Sequence, residues 1–225
     1  MKITALVPMR HHSQRVPGKN FKNLAGKPLF HHILKTLSSC EEISEIIVDT
    51  DSDVIEEGIA NIFPSVRVIQ RPEGLRADDV PMNEILIHDA RQTNADLFLQ
   101  THSTNPLLQK ETISRAIQAF LENQATFDSL FSVTRLQTRL WDRNFKAINH
   151  DPKILLQTQD LPPIFEENSC IYLFTLENLI KRNNRIGEKP MMFEIPSEEA
   201  VDIDEEIDFL IADLLMRHRQ KSQLV

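Results

Sequence analysis

Between residues 3 and 133 the chain alternates short apolar runs with stretches of helical period, a rhythm that leaves few folds open. The runs at 3–7, 45–51 (EIIVDTD), 66–70 (VRVIQ), 96–101 (DLFLQT) and 129–133 (SLFSV) read as buried strands. The stretches 28–37, 51–62, 81–91 and 111–122 read as helices, the first with Pro28 in its opening turn. Strands alternating with helices predict a mostly parallel sheet covered on both faces, a three-layer α/β/α, Rossmann-like arrangement. Ligands of such sheets lie beyond the carboxyl ends of the strands. The loop 9–27 and the loops after 45–51 and 96–101 are therefore expected to open onto one crevice.

The segment 142–167 breaks the rhythm. It holds Pro152, Pro162 and Pro163 without a helical period and is expected to project from the sheet as an arm. A strand resumes at 169–174 (SCIYLF). Near the end, Ile207, Leu210, Ile211, Leu214 and Leu215 recur at helical spacing and predict an amphipathic helix over 204–219, packed on the domain through that stripe. The 225 residues are expected to form one domain.

Composition narrows the function classes. With 41% hydrophobic and 26% charged residues the chain reads as an ordinary globular protein, without an apolar run long enough for a bilayer. The opening MKITALVPMR has too short an apolar stretch for a secretory signal, so a cytoplasmic location is expected. Cys40 and Cys170 lie far apart without metal-site spacing and are expected to be reduced thiols. A net charge of −8 speaks against a nucleic-acid-coating protein, so neither nucleic acid nor membrane is an expected partner.

That charge is unevenly spread. The first 40 residues hold seven Lys or Arg and no Asp or Glu, so they carry +7 while the other 185 carry −15. A solvated face mixes both signs, so this opening predicts a site for a small polyanion. A strand that feeds a basic loop and then a helix suits phosphate. It is not a Walker A loop, since seven residues lie between Gly18 and Gly26 and Lys27 is followed by Pro28; nor is it G-x-G-x-x-G. A long loop wrapping a polyphosphate remains, with Arg10, Arg15 and Lys19 as its candidate clamps.

LVPMRHHSQRVPGKNFKNLAGKPL (6–29) resembles the opening motif of the cytidylyltransferases that make CMP-sialic acid and CMP-Kdo. Arg10, Ser13, Pro17, Lys19 and Asn20 match it, as do Leu24, Gly26, Lys27, Pro28 and Leu29. Further stretches match in order. RPEGLRADDV (71–80) contributes Arg71, Pro72, Leu75 and Asp78; FLQTHSTNPLL (98–108), ENSCIY (167–172) and EEAVDIDEEIDF (198–209) follow. The likeness covers nearly the whole chain and is nearest the acylneuraminate branch.

The resemblance implies the nucleotide-diphospho-sugar transferase fold and transfer of CMP from CTP to an acidic, sialic acid-like sugar, releasing pyrophosphate. It assigns Arg10, Ser13, Arg15, Lys19, Asn20, Arg71 and Asp78 to the nucleotide and Gln100, Ser103 and Asn168 to the acceptor. Asp202 and Asp204 would hold Mg²⁺, or Mn²⁺ in its place; with Arg10 and Lys19 they form the implied catalytic set. Without the resemblance, Asp202 with Glu205 reads as a helix-start cap, and Glu198, Glu199 and Asp208 as solvated acids. The arm 142–167 corresponds to the family's dimerisation arm and implies a homodimer.

Two departures concern the acceptor side. Sialic acid members carry arginines just before the Asn168 motif, whereas QTQDLPPIFEEN has none; either Arg135, Arg139 or Arg143 substitutes, or the acceptor is not an ordinary sialic acid. His102, in the THSTN stretch that carries two additional residues, is expected to be a solvated loop histidine. Two other classes fit parts of the pattern: a glycosyltransferase using D-I-D as its metal motif, and a non-catalytic nucleotide-binding homologue.

Overall fold

The computed structural model describes residues 1–222. In chain order the elements are β1 (Ile3–Leu6), β2 (Asn23–Leu24), β3 (Lys27–Pro28), α1 (Leu29–Ser38), β4 (Ile43–Thr50), α2 (Asp53–Ile62), β5 (Arg67–Gln70), α3 (Met82–Ala90) and β6 (Leu97–Gln100). There follow α4 (Lys110–Asn123), β7 (Ser129–Leu136), β8 (Ile164–Phe174), α5 (Leu176–Arg182), β9 (Pro190–Glu194) and α6 (Glu206–Ser222). The small strands β2 and β3 pair as a hairpin inside the basic loop.

Seven strands form one sheet in the order β5-β4-β1-β6-β8-β7-β9. β5, β4, β1 and β6 pair in parallel, as do β7 and β9, while β8 runs antiparallel to both its neighbours. The period of two along each strand sorts the core into two layers. Ala5, Ile46, Val48, Leu97, Leu99, Ile171 and Leu173 face α1, α2 and α4, whose Phe30, Ile33, Ile55, Ile59, Ile113 and Phe120 are buried against them. The intervening Leu6, Ile47, Phe98, Tyr172 and Phe174 face α3 and α5, through Leu86, Ala90 and Leu179. This is the expected three-layer α/β/α arrangement. β1 sends its connection toward β4 on one side while β6 lies on the other, so the crevice opens at the carboxyl end of β1.

A third apolar cluster holds the two ends of the chain together. Val16, Leu24, Ala25 and Leu29 from the opening loop and α1 pack with Ile203, Phe209, Ala212 and Met216 around α6. Hydrogen bonds from Ala25 N to Asp213 Oδ1 (2.7 Å) and from Gln220 Nε2 to Ala25 O (3.3 Å) add to the join.

α6 corrects one expectation. It packs through Phe209, Ala212 and Met216, while Ile207, Leu210, Ile211 and Leu214 are 57%, 60%, 43% and 68% exposed. Both stripes have helical spacing, and the aromatic Phe209 fits the loop cluster. The segment 142–167 is irregular, with a lone bridge between Trp141 and Ala147, and β8 begins at Ile164, inside its expected limit. Phe145 is 88% and Leu155 92% exposed there. Cys40 and Cys170 are buried free thiols, both pushed up by burial, Cys40 to about 12. Among the described residues no helix is long and apolar enough to cross a membrane.

Candidate active site

The basic loop enters the crevice through a turn at Gly18. Its φ of +66° lies in the left-handed region, and a Cβ there would sit 2.6 Å from the Phe21 ring. The short 3-10 turn Lys19–Phe21 follows, with Lys19 and Asn20 facing inward. Asn20 is a buried strap, donating to Arg10 O (2.7 Å) and accepting from Ser103 Oγ (2.6 Å). It ties the loop after β1 to the loop after β6.

A cavity of about 540 Å³ opens here. Its wall includes Arg10, Ser13, Arg15, Lys19 and Asn20 from the basic loop and Arg71 and Asp78 from the segment after β5. Ser103 comes from the loop after β6, and Asp202 and Asp204 lie just before α6. Of the residues singled out in the sequence, Gln100 and Asn168 are not on the wall. Gln100 is fully buried behind it, and Asn168 accepts from Ser132 Oγ (2.6 Å) and donates to Thr134 Oγ1 (2.9 Å).

The cations of the opening loop meet acids from distant parts of the chain. Arg10 pairs with Asp78, Arg15 donates to Asp204 Oδ1 at 2.7 Å, and Lys22 pairs with Glu206. Lys19 donates to the carbonyl of Ile203 and lies 3.7 Å from Asp204 Oδ1. Burial pulls the Lys19 ammonium below its ordinary range, against the opposing pull of Asp204 and Asp202. Arg71 is almost fully buried and donates a hydrogen bond from Nε–H to Asp49.

Asp202 and Asp204 form the acidic pole. Asp202 Oδ1 is buried with no hydrogen-bond partner, and burial pushes its carboxyl above the usual carboxylate range. An orphaned carboxylate oxygen beside a second carboxylate on one cavity fits a divalent cation, which takes one or two such groups plus phosphate oxygens and water. Neither acid caps α6. Asp208 does, accepting from Asp204 N (3.0 Å) and Glu205 N (2.8 Å), so it is not a free solvated acid. Glu199 is also buried, bonding Gln109 N (2.8 Å) and Thr112 Oγ1 (3.0 Å) at the start of α4, where its charge suits the helix dipole.

Asp49, His88 and Asp89 also have metal-ligand spacing, with ligand atoms within 4.8 Å of one another. The guanidinium of Arg71 already sits on Asp49 there. Burial and the neighbouring Asp49 carboxylate push Asp89 well above the usual carboxylate range, which makes it a proton carrier beside Asp49 and not a second free charge. This cluster braces Arg71 from below.

Sequence reasoning missed several residues at the acceptor end. His102 is not solvated; its ring accepts from Gln100 Nε2 (2.9 Å), and burial with the facing cations Arg185 and Lys19 pushes it down to about 3. Ser169 lines the cavity at φ +58°, in a bulge of β8 where the pairing with β7 shifts register. Arg135, Arg139 and Arg143 are all exposed, and none of them lines the cavity. A lone Arg185 between α5 and β9 lies close by, and nothing in its sequence context, NNRIG, marks it.

A sheet of this topology with a basic loop and a D-I-D motif converging on one crevice defines a nucleotidyltransferase. The family model described as "Cytidylyltransferase" matches residues 4–221, and the chain belongs to that family. It is 33% identical to CMP-N,N'-diacetyllegionaminic acid synthase of Legionella pneumophila over 99% of both chains. N-acylneuraminate cytidylyltransferase A of Danio rerio is 26% identical over 94% of this chain, which spans 50% of that longer protein. A solved CMP:2-keto-3-deoxy-manno-octonic acid synthetase in complex with CTP shares the fold at a TM-score of 0.71 and 15% identity, covering 97% of this chain and all of the other.

Proposed function

We propose that the protein transfers the CMP group of CTP to an acidic sugar of the nonulosonate or octulosonate kind, releasing pyrophosphate. The observation that carries this reading is the meeting of the basic loop with Asp202 and Asp204 across one cavity, in a cytidylyltransferase chain. In the reaction the acceptor hydroxyl attacks the α-phosphorus in line and pyrophosphate leaves. Arg10, Arg15 and Lys19 donate to the β- and γ-phosphates, exchanging their bonds to Asp78, Asp204 and the Ile203 carbonyl for charge-assisted bonds to the leaving group. Asn20 and Ser103 keep the two loops in register while this exchange occurs. Arg71, anchored on Asp49, adds a fixed positive charge at the nucleotide end.

Asp202 and Asp204 would hold Mg²⁺ or Mn²⁺. The ion would supply Lewis-acid polarisation of the α-phosphate and a lower pKa for the attacking hydroxyl. We also propose a homodimer formed through the arm, whose Phe145, Ile154 and Leu155 are exposed apolar side chains in search of cover, and a cytoplasmic location where CTP is at hand. Incubation with each nucleoside triphosphate, Mg²⁺ and a panel of acidic sugars, following pyrophosphate, tests the reading. Pyrophosphate release dependent on CTP and one such acid is expected. A glycosyltransferase would release none, and a nucleotide-binding homologue would bind without turnover.

A further inference from the structure

An acidic acceptor carries a carboxylate into the crevice, and a carboxylate held away from water needs a cation or several N–H donors. The acceptor-side wall within this chain offers few. Ser103, Ser169 and His102 are neutral there, since His102 stays unprotonated above about pH 3.

Arg185 is not on that wall but lies behind it, against Gln100 and Tyr172. Its Nη1 donates to Gln100 Oε1 at 2.6 Å, and its guanidinium lies 3.6 Å above the centre of the Tyr172 ring. Gln100 in turn donates to His102, and the Ser169 hydroxyl donates to Tyr172 Oη at 3.2 Å, the Tyr172 proton going to Glu167. Both His102 and Ser169 line the cavity. The backbone of Arg185 is also tied down, its N–H donating to Asn83 Oδ1 at 3.3 Å, next to the cavity residue Met82.

The cation is half-buried and has no ion-pair partner among the described residues. The acid that faces it, Glu167, accepts a hydrogen bond from Tyr172 O–H instead. Desolvation pulls the Arg185 guanidinium below its ordinary range, yet an arginine keeps its charge at neutral pH. Gln100 engages one of its five N–H donors and the Tyr172 side chain takes another hydrogen bond, which leaves further donors open. A half-buried guanidinium fixed by stacking and by Gln100, with donors to spare, is built to receive a planar oxyanion.

We propose that Arg185 is the acceptor-binding residue that grips the sugar's carboxylate, taking the place of the arginines absent before Asn168. The assignment rests on the acidic-sugar reading of the preceding section. Gln100 then acts as a positioning residue that holds the guanidinium. Its burial behind the cavity wall is the geometry that role requires.

The test uses the full chain with CTP and Mg²⁺ and three probe acids: N,N'-diacetyllegionaminic acid, N-acetylneuraminic acid and 3-deoxy-manno-octulosonate. The methyl ester of whichever acid is turned over serves as the fourth probe. Wild type, Arg185→Gln and Arg185→Lys are compared. Loss of a charge-assisted contact predicts an acceptor KM about 10- to 100-fold higher in Arg185→Gln, with the CTP KM unchanged. Wild type should prefer acid to ester by a similar factor, Arg185→Gln should show little preference, and Arg185→Lys should recover part of it. An Arg185→Gln enzyme that still prefers the acid as strongly as wild type, or has an unaltered acceptor KM, overturns the assignment while leaving cytidylyl transfer intact. If Arg185→Gln fails to fold, Arg185→Lys decides on the same acid-to-ester ratio, undiminished preference again overturning it. Wild type that releases pyrophosphate with none of the acids overturns the acidic-sugar reading and the assignment together.

Discussion

Arg15 and Asp204, 189 positions apart in the chain, meet at 2.7 Å on the wall of one cavity. The contact joins the acid-free opening of the chain to its late acidic motif, and it is the pair that nucleotide and metal would have to part. Both side chains are largely exposed, at 60% and 47%, so the bond itself contributes little to stability. Its value lies in placing opposite charges where a triphosphate and a cation would each find a partner.

Asp204→Asn removes a carboxylate from the proposed cation site while leaving the polar shape. Turnover is expected to fall by about 100-fold or more. Chelation of divalent ions should abolish wild-type pyrophosphate release, and added Mg²⁺ should restore it. Activity that survives chelation would remove the metal from the account.

Asp89 predicts a pH effect on stability. Its folded-state pKa is raised, so the folded chain keeps a proton that the unfolded chain gives up above about pH 3.9. The unfolded state thus binds fewer protons, and this group's contribution to stability falls as pH rises from there toward its folded pKa. Asp89→Asn, neutral throughout, should lose less melting temperature between pH 5 and pH 8.5 than wild type. Parallel melting curves across that range would count against a protonated Asp89.

Glu199 fastens the start of α4. Glu199→Ala leaves Gln109 N–H and the Thr112 hydroxyl without their partner in a buried setting, at an expected cost of about 1–3 kcal/mol in urea denaturation. A change within about 0.5 kcal/mol would mean the acid is solvated after all.

The arm carries its most exposed apolar side chains at Phe145 and Leu155. Light scattering on wild type should give twice the 26.0 kDa chain mass, and the Phe145→Asp, Leu155→Asp double variant should give the single mass with unfolding unchanged. A monomeric wild type would exclude the arm-mediated dimer.

Much of the fold was legible because the period of two marks buried strands directly: Ala5 and Leu6, or Leu97 and Phe98, divide between the two faces as their alternation requires. Strand direction leaves no such mark, and β8 gave no sign that it runs against its neighbours. The face α6 buries was equally hidden, since two stripes of apolar residues shared one helical period and only the neighbours of Phe209 chose between them. In the site, the basic loop announced itself by charge. Asp202 and Asp204 stood out only by resemblance, because two acids before a helix look like a cap. Glu199 and Arg185 were illegible: their roles depend on Gln109, Thr112, Gln100 and Tyr172, which adjoin them only in the folded chain.

Calorimetric titration of CTP in the presence of Mg²⁺, on wild type, Lys19→Ala and Asp202→Asn, tests most directly whether this cavity is where a metal-bound triphosphate sits. Saturable CTP binding by wild type is expected, weakened at least about 10-fold in Lys19→Ala, with its Mg²⁺ dependence lost in Asp202→Asn. CTP binding of equal strength in all three proteins, or none in wild type, would contradict it.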